Sequence, residues 1–254
     1  MVDRSVLVCG TRPSGRDDEL LELLRRAGYE AVAVPLTEIH PLPDASVALG
    51  AALDECPEAT VVVTSASAAP TVAAALREPG QVAVVAIGAA TATALADLGI
   101  RVTTLEGASS GAELATALLR HGMTSVIHAA AADPRPELGR ALVAGGGDYL
   151  AVPVYATAPR RLDAEAIRWL QRADLVVLAA PSAAAALVAA VGPGAAVVAI
   201  GPTTATAVES LGCSVLEVAS TPSTAALIEA VRSATEALEG GAPPPAQGPE
   251  LTSQ

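Results

Sequence analysis

Two stretches of sequence decide the fold: VVAIGAATATALADLG at residues 84–99 returns as VVAIGPTTATAVESLG at residues 197–212. Extended to Val102 and Val215, the two copies are identical at 12 of 19 positions. This identity indicates a duplicated unit of about half the chain. Each copy is a short β-branched run, a glycine, a Thr/Ala segment and a final Leu-Gly. This pattern predicts a buried strand of a parallel sheet, a tight turn and a helix.

The turn in each copy is a candidate binding site. In open α/β sheets ligands bind beyond the carboxyl ends of the strands. Free amides at the helix start, with the hydroxyls of Thr91 or of Thr203 and Thr204, favour an anion there. The alternative for either copy alone is a helix N-terminus without a ligand. The presence of two copies favours a site formed by both loops.

Composition excludes several classes of protein. The 254 residues are 52% apolar, enough for a sizeable core, and the repeat favours two domains. The chain has no lysine, which excludes Schiff-base enzymes, pyridoxal phosphate enzymes and the P-loop lysine. The net charge of −12 and the scarcity of aromatic residues argue against a nucleic-acid partner.

Cysteine and histidine residues indicate a reduced, metal-free protein. Cys9, Cys56 and Cys213 are odd in number and far apart, and the three histidines lack metal-ligand spacing. Charged residues near the start argue against a signal peptide, so we expect a cytoplasmic protein. We also expect no cofactor. Residues 175–208 carry no charge, so a membrane span is an alternative interpretation of this segment. Interruption by Pro and Gly favours a soluble core, so no membrane partner is expected.

Hydrophobic periodicity and turn residues predict the other elements. Strands are predicted at 5–9, 31–34, 60–63, 102–105, 125–128 and 175–178, with an extended segment at 150–157. Helices are predicted at 17–27, 47–53, 68–76, 112–120, 138–143, 162–171 and 224–238. The segment 40–43 is interpreted as a connector and 241–254 as a disordered tail. Gly145-Gly146-Gly147 is interpreted as a helix C-terminus rather than a phosphate loop.

Six motifs occur in an order similar to that of the uroporphyrinogen-III synthase family. They are Thr11-Arg12-Pro13, Thr64-Ser65-Ala66-Ser67-Ala68, Gly88-x-x-Thr91-Ala92, Pro153-Val154-Tyr155, Pro181-Ser182-Ala183 and Gly201-Pro202-Thr203-Thr204-Ala205. The resemblance spans residues 5 to 235, and Gly-Pro-Thr-Thr-Ala is its most specific motif.

The resemblance implies two similar flavodoxin-like α/β domains with parallel sheets, joined by two extended segments. Domain one would be 1–36 with 158–240, and domain two would be 39–153. The implied protein is a monomer whose partner is a small molecule, a linear tetrapyrrole.

The implied reaction is the closure of hydroxymethylbilane to uroporphyrinogen III with loss of water and inversion of the last pyrrole ring. No cofactor or metal takes part in the family. The resemblance implies that Tyr155 is the acid that assists departure of the hydroxyl group. The alternative for Tyr155 is a packing role in an interdomain segment.

Substrate carboxylates would be bound by helix-start amides and hydroxyl groups. The residues implied are Arg12, Thr64, Ser65, Ser67, Gly88, Thr91, Ser182, Gly201, Thr203 and Thr204. Arg12 has the alternative of being a solvated loop charge.

Two departures from the family pattern keep a second function open. Leu178-Ala179-Ala180-Pro181-Ser182 stands where the family usually has Phe-Thr-Ser-Pro-Ser, and His128-Ala129 stands where an Arg-Gly pair is common. These changes favour a non-catalytic module that binds a tetrapyrrole or another polyanion. A small-molecule-binding protein of the same architecture without a tetrapyrrole role is a third alternative.

Overall fold

The structure, a computed structural model, describes residues 6–13, 18–76, 80, 82–105 and 110–240. Its strands are β1 Leu7–Gly10, β2 Glu30–Ala33, β3 Thr37–Pro41, β4 Thr60–Val63, β5 Val84–Ala86, β6 Thr103–Thr104, β7 Ser125–Ala131, β8 Asp148–Pro159, β9 Leu175–Leu178, β10 Ala196–Ala199 and β11 Ser214–Val218. Its α-helices are α1 Asp18–Arg26, α2 Ala45–Glu55, α3 Ala69–Ala75, α4 Ala89–Ala96, α5 Gly111–Arg120, α6 Glu137–Ala144, α7 Ala164–Arg172, α8 Ser182–Val191, α9 Pro202–Glu209 and α10 Thr224–Glu239. The chain is an α/β protein with mainly parallel sheets, as the repeat predicted.

The described chain divides into two compact units. Unit 1 contains the described residues up to Glu38 together with those from Ala158 onward, and unit 2 is Ile39–Thr157. The boundaries between the units fall inside β3 and inside β8. Each unit has its own sheet.

Unit 1 has a parallel five-stranded sheet in the order β11-β10-β9-β1-β2. Counted along the chain this is the order 2-1-3-4-5 of doubly wound folds. The two central strands β1 and β9 are completely buried, and helices cover both faces of the sheet. Leu20, Leu24 and Leu227 pack on one face, and Leu170 and Leu187 pack on the other. The apolar strands predicted from β-branched runs therefore form the core.

Unit 2 has a sheet in the order β3-β8-β7-β4-β5-β6, in which β8, β7, β4, β5 and β6 are parallel. Strand β4 is completely buried, with Val61 and Val63 on one face and Val62 on the other. Helices α2, α3 and α4 cover the first face, and α5 and α6 cover the second. The two copies of the repeat are β5 with α4 and β10 with α9, and each repeat strand is second from the edge of its sheet.

Short polar side chains fix several helix starts where the sequence predicted them. Ser110 accepts a hydrogen bond from the Glu113 amide while the Glu113 carboxylate accepts one from the Ser110 amide, which is a capping box at α5. Ser223 caps α10 by accepting from the Ala226 amide. Gly145 ends α6, which confirms the C-terminal interpretation of the glycine run.

Two sequence predictions are corrected. His40 and Pro41, interpreted as a connector, belong to β3, which is hydrogen-bonded to β8. Strand β7 continues three residues beyond the predicted end at His128, because its pairing with β8 outweighs the helix preference of Ala129–Ala131. The predicted tail at 241–254 lies outside the described residues. None of the helices in the described part of the chain is both long and apolar enough to cross a membrane.

Candidate functional site

The strand order of unit 2 reverses between β4 and β7. Strands β5 and β6 extend the sheet on one side of β4, whereas β8 extends it on the far side of β7. The helices that follow β4 and β7 cover opposite faces of the sheet, so a crevice opens between the carboxyl ends of these strands. The side chains at this crevice are therefore the candidates for a binding site.

A cavity of about 680 Å³ lies at this crevice, entirely within unit 2. This volume is in the range of small-molecule sites. Its lining combines strand ends with the start of two helices: Thr64, Ile87, Ser110, Gly111, His128, Ala131, Asp133, Pro134, Arg135, Glu137, Leu138, Tyr155 and Thr157.

A hydrogen-bond chain runs from β8 through β7 to the end of β4. The Tyr149 hydroxyl lies 2.8 Å from His128 Nδ1, and His128 Nε2 lies 3.0 Å from the Thr64 hydroxyl. His128 and Tyr149 share a face of the sheet because Tyr149 pairs with Val126, two residues before His128. Tyr149, His128 and Thr64 are called the relay below. The relay connects a partly buried phenol to a hydroxyl that faces the cavity.

Burial sets the protonation states within the relay. His128 is only 5% exposed, and this desolvation lowers its pKa from 6.5 to about 4. Burial also raises the pKa of the Tyr149 phenol. Near pH 7 the imidazole is therefore neutral, with one N–H donor and one acceptor nitrogen, and the phenol keeps its proton.

Helix α6 holds the Tyr149 ring through a close approach at Gly139. A Cβ atom placed on Gly139 would lie 2.6 Å from Tyr149 Cε1, closer than any stable contact. The ring also lies 6.0 Å from the imidazole between centroids, at a tilt of 48°. Glycine at position 139 therefore allows Tyr149 to reach His128.

Charges at the cavity are mixed. Arg135 lies between Asp133 and Glu137 in the loop that leads into α6, and all three line the cavity. The start of α5 adds Ser110 and Gly111, although the Ser110 hydroxyl is already used in the capping box. Among the described lining residues positive charge does not exceed negative charge, so binding of an anion here depends on individual donors.

The structure brings two of the sequence-predicted residues together in this cavity. Tyr155 and Thr64 both line it, and Tyr155 follows a register shift in the pairing of β7 with β8. Such irregularities re-aim a side chain. Ser65 and Ser67 come next to Thr64, but their hydroxyls are hydrogen-bonded to each other, and Ser65 caps the short 3-10 helix Ala66–Ala68.

The first repeat copy contributes Ile87 to the cavity lining, whereas its predicted residues Gly88 and Thr91 are not among the lining residues. Gly88 precedes α4 with a φ of 78°, and Thr91 is buried inside the helix. In unit 1 the equivalent Gly201 precedes α9 and Thr204 is likewise buried, whereas Thr203 is exposed. The Thr91 and Thr204 side chains are therefore buried within their helices, and their role in substrate binding stays a prediction.

The other predicted residues of unit 1 lie in loops at the carboxyl edge of its sheet. Arg12 is half-buried after β1, beside Thr11, whose buried hydroxyl donates to the Val177 carbonyl at 2.7 Å. Ser182 is exposed at the first position of α8. These residues occupy the same edge of their sheet as Gly201 and Thr203.

Sequence reasoning missed His128 and Tyr149. The sequence shows His128 only as a histidine without metal-ligand spacing and as a departure from a family pattern, and it gives no role to Tyr149. The available signal was a polar residue inside the apolar run Val126–Ala131 at the end of a buried strand. Among the described residues no cluster of three His, Cys, Asp or Glu side chains has metal-site geometry.

Comparisons with known proteins identify the family. The family model described as "Uroporphyrinogen-III synthase HemD" matches residues 18–229. The chain belongs to the uroporphyrinogen-III synthase family. This match covers five of the six motifs, confirms the family resemblance and supports a catalytic role in tetrapyrrole biosynthesis. No curated protein matches the chain.

Two solved synthases are similar in fold. Uroporphyrinogen-III synthetase from Helicobacter pylori is 20% identical, with 91% of this chain and 99% of that chain covered and a TM-score of 0.62. A mutant uroporphyrinogen III synthase from the extremely thermophilic bacterium Thermus thermophilus is 18% identical, with the same shares of the two chains covered and a TM-score of 0.53. At these identities the comparison concerns the fold, and the family model carries the assignment.

Proposed function

We propose that this member of the synthase family closes hydroxymethylbilane to uroporphyrinogen III, and that the unit 2 cavity receives the end of the substrate that loses its hydroxyl group. One observation carries the proposal. Tyr155 lines the same cavity as Thr64, at the crevice where the strand order reverses.

In the proposed reaction Tyr155 acts as the general acid. Its O–H donates a proton to the departing hydroxyl, the carbon–oxygen bond breaks and water leaves. The terminal pyrrole nitrogen loses its proton and supplies the electron pair that forms the azafulvene. The reaction is therefore an elimination of water, and we assign the enzyme to the lyases.

Ring inversion follows from where the azafulvene carbon is attacked. Attack by the substituted carbon of the far ring forms a spiro intermediate, which fragments and recloses with that ring inverted. These steps form and break carbon–carbon bonds and move protons, with no net oxidation. The protein contributes by holding the two ends close together and excluding water, since positioning lowers such barriers strongly.

We also propose how the two units arose and where the protein acts. We infer that the two units derive from one duplicated unit, supported by the sequence repeat and by the matching positions of the repeat strands in the two sheets. We also propose a cytoplasmic monomer that acts on a small molecule, needs no cofactor, and binds neither nucleic acid nor membrane.

A non-catalytic binding module is the second candidate, favoured by one observation. Ala179 and Ala180 follow β9, where hydroxyl residues are usual in the family, so unit 1 offers fewer donors to substrate carboxylates. Such a protein would bind the tetrapyrrole without directing ring closure.

A coupled assay separates the two candidates. Freshly generated hydroxymethylbilane is given to the purified chain, and the uroporphyrin isomers are separated after oxidation. We expect mainly isomer III, whose formation requires ring inversion. Exclusive isomer I, the product of spontaneous closure, from a folded protein would reject the synthase and leave the binding module.

A further inference from the structure

We propose that His128 and Tyr149 are positioning residues that turn the Thr64 hydroxyl into a hydrogen-bond donor aimed at a carboxylate of the substrate. This inference rests on the proposed function, because it names the substrate group that the unit 2 cavity recognises. The relay itself is defined by distances of 2.8 and 3.0 Å.

The relay has two possible proton arrangements. In one, Thr64 presents a hydrogen-bond donor to the cavity, and in the other it presents acceptor lone pairs. In the first, the Tyr149 O–H donates to Nδ1, and the Nε2–H donates to the Thr64 oxygen. The Thr64 proton then remains available for a carboxylate. In the second, the Nδ1–H donates to the Tyr149 oxygen and the Thr64 O–H donates to Nε2. Thr64 then presents lone pairs, which repel a carboxylate.

The surroundings of Tyr149 favour the first arrangement. Among the described residues its hydroxyl has one hydrogen-bond partner, His128 Nδ1. In the second arrangement the phenolic proton would have no protein acceptor in that part of the chain, although the ring is held in place by the approach of α6 at Gly139. Thr64 is exposed whereas Tyr149 is half-buried, so it costs less to leave the Thr64 proton facing the cavity than to leave the phenolic proton without a protein acceptor, and the phenol donates to the imidazole.

The burial of His128 makes this orientation persistent. The imidazole is 5% exposed and remains neutral near pH 7, because desolvation lowers its pKa to about 4. A neutral ring that accepts at Nδ1 must donate at Nε2. Thr64 is exposed to the cavity, so its hydroxyl is the end of the relay that a ligand reaches.

The first test measures the tautomer of His128 by nitrogen NMR on the full chain with labelled histidine. His128→Gln assigns the resonance among the three histidines of the chain. We expect an unprotonated Nδ1 and a protonated Nε2 in the wild type, and loss of this preference in Tyr149→Phe. A protonated Nδ1 in the wild type would overturn the proposal, whether or not the chain is a synthase.

The second test separates binding from catalysis in the isomer III assay. Thr64→Val removes the donor and is expected to raise KM about 10-fold, the effect of losing a hydrogen bond to a charged group, with kcat within about 3-fold. Tyr149→Phe is expected to raise KM by about 3- to 10-fold. Thr64→Ser restores the hydroxyl and is expected to restore KM. Tyr29→Phe, at a tyrosine partly buried against the unit 1 core, is the matched control.

The outcomes distinguish this inference from the proposed function. An active wild type with unchanged KM in both Thr64→Val and Tyr149→Phe would reject the relay and leave the synthase. If the wild type forms only isomer I, uroporphyrin III becomes the probe. Its addition is then expected to shift the His128 Nε2 proton resonance in the wild type and not in Thr64→Val. No shift in the wild type would reject carboxylate recognition by Thr64.

Discussion

The two sheets differ at the strand pair where their order reverses. In unit 1, Gly10 at the end of β1 pairs with Val177 of β9. In unit 2, His128 of β7 pairs with Val62 of β4. Since β4 and β9 are both four-residue strands paired to the corresponding neighbour, His128 and Gly10 occupy equivalent positions. One sheet carries an imidazole where the other carries no side chain.

The hydroxyl that meets the imidazole differs in the same way. Thr64 follows β4 directly and reaches His128, whereas Ala179 follows β9 directly, near Gly10. Both members of the pair are present in unit 2 and both are missing in unit 1. A buried imidazole without a partner would be costly, so it is favourable for the pair to be kept or lost together. Two sheets of similar topology can therefore differ in whether they carry this hydrogen-bonded pair.

The glycines of the repeat show a second difference. Gly88 has a φ of 78°, in the region that favours glycine, whereas Gly201 has an extended φ of 179°. Pro202 follows Gly201 and restricts the preceding residue to extended conformations, while Ala89 follows Gly88. Identical glycines in the repeat thus adopt different backbone conformations, and the residue that follows each of them also differs.

The largest expected effect concerns acid stability. The folded pKa of His128, about 4, lies below its unfolded value of 6.5, so the unfolded chain binds more protons between these values. Stability is therefore lost as the pH falls from 6.5 to 4, by about 3 kcal/mol. The stability advantage of the wild type over His128→Gln should shrink by this amount in urea unfolding across that range.

Other charged groups lie near the cavity, so the comparison needs a control. Asp133, Glu137 and Arg135 line the same cavity and are present in the wild type and in His128→Gln alike. His121→Gln, at the exposed end of α5, is the control for a histidine-to-glutamine change away from the relay. Parallel pH curves for the wild type and His128→Gln would contradict the burial of a neutral imidazole.

The repeat glycines give the next largest effect. Gly88→Ala should lower the free energy of unfolding by about 1–3 kcal/mol, because alanine is strained at positive φ. Gly201→Ala should change it by less than about 0.5 kcal/mol. A Cβ atom meets nothing within 4 Å at either glycine, so the backbone alone distinguishes the two variants. Equal losses in chemical denaturation would show that the two loops have the same conformation.

The smallest expected change in stability concerns positions 64 and 179, which directly follow β4 and β9. Thr64→Ala should cost about 1 kcal/mol through loss of its hydrogen bond to His128. Ala179→Thr should change stability by less than about 0.5 kcal/mol, because Gly10 offers the new hydroxyl no side-chain partner. Both variants can be measured in the same denaturant-unfolding experiment. A clear stabilisation by Ala179→Thr would contradict the proposed difference between the two sheets.

Sequence alone predicted the parts of the fold that depend on local pattern. The strands Thr60–Val63 and Leu175–Leu178 were predicted to the residue, since β-branched runs with clear ends specify buried strands. Strand β3 was missed because Pro41 and Pro43 suggest a connector. Pairing between distant segments decides such cases, and a single sequence does not reveal it.

The candidate site was predicted only in part for the same reason. Thr64 and Tyr155 belong to recognisable motifs, so the sequence indicated them, and the structure brings both to one cavity. The contact of His128 with Tyr149 depends on the register of β7 against β8 and on the space left by Gly139. Neither the strand register nor the space beside Gly139 can be predicted from a local motif.

The measurement that tests the central claim most directly is the rate of isomer III formation by Tyr155→Phe beside Tyr29→Phe. Tyr155 lines the cavity of unit 2, whereas Tyr29 is partly buried against the core of unit 1. The account predicts a loss of roughly 10- to 100-fold in kcat for Tyr155→Phe, at or below the usual contribution of a general acid. It predicts no change for Tyr29→Phe. Equal rates for the two variants would contradict the assignment of Tyr155 and of the unit 2 cavity to the reaction.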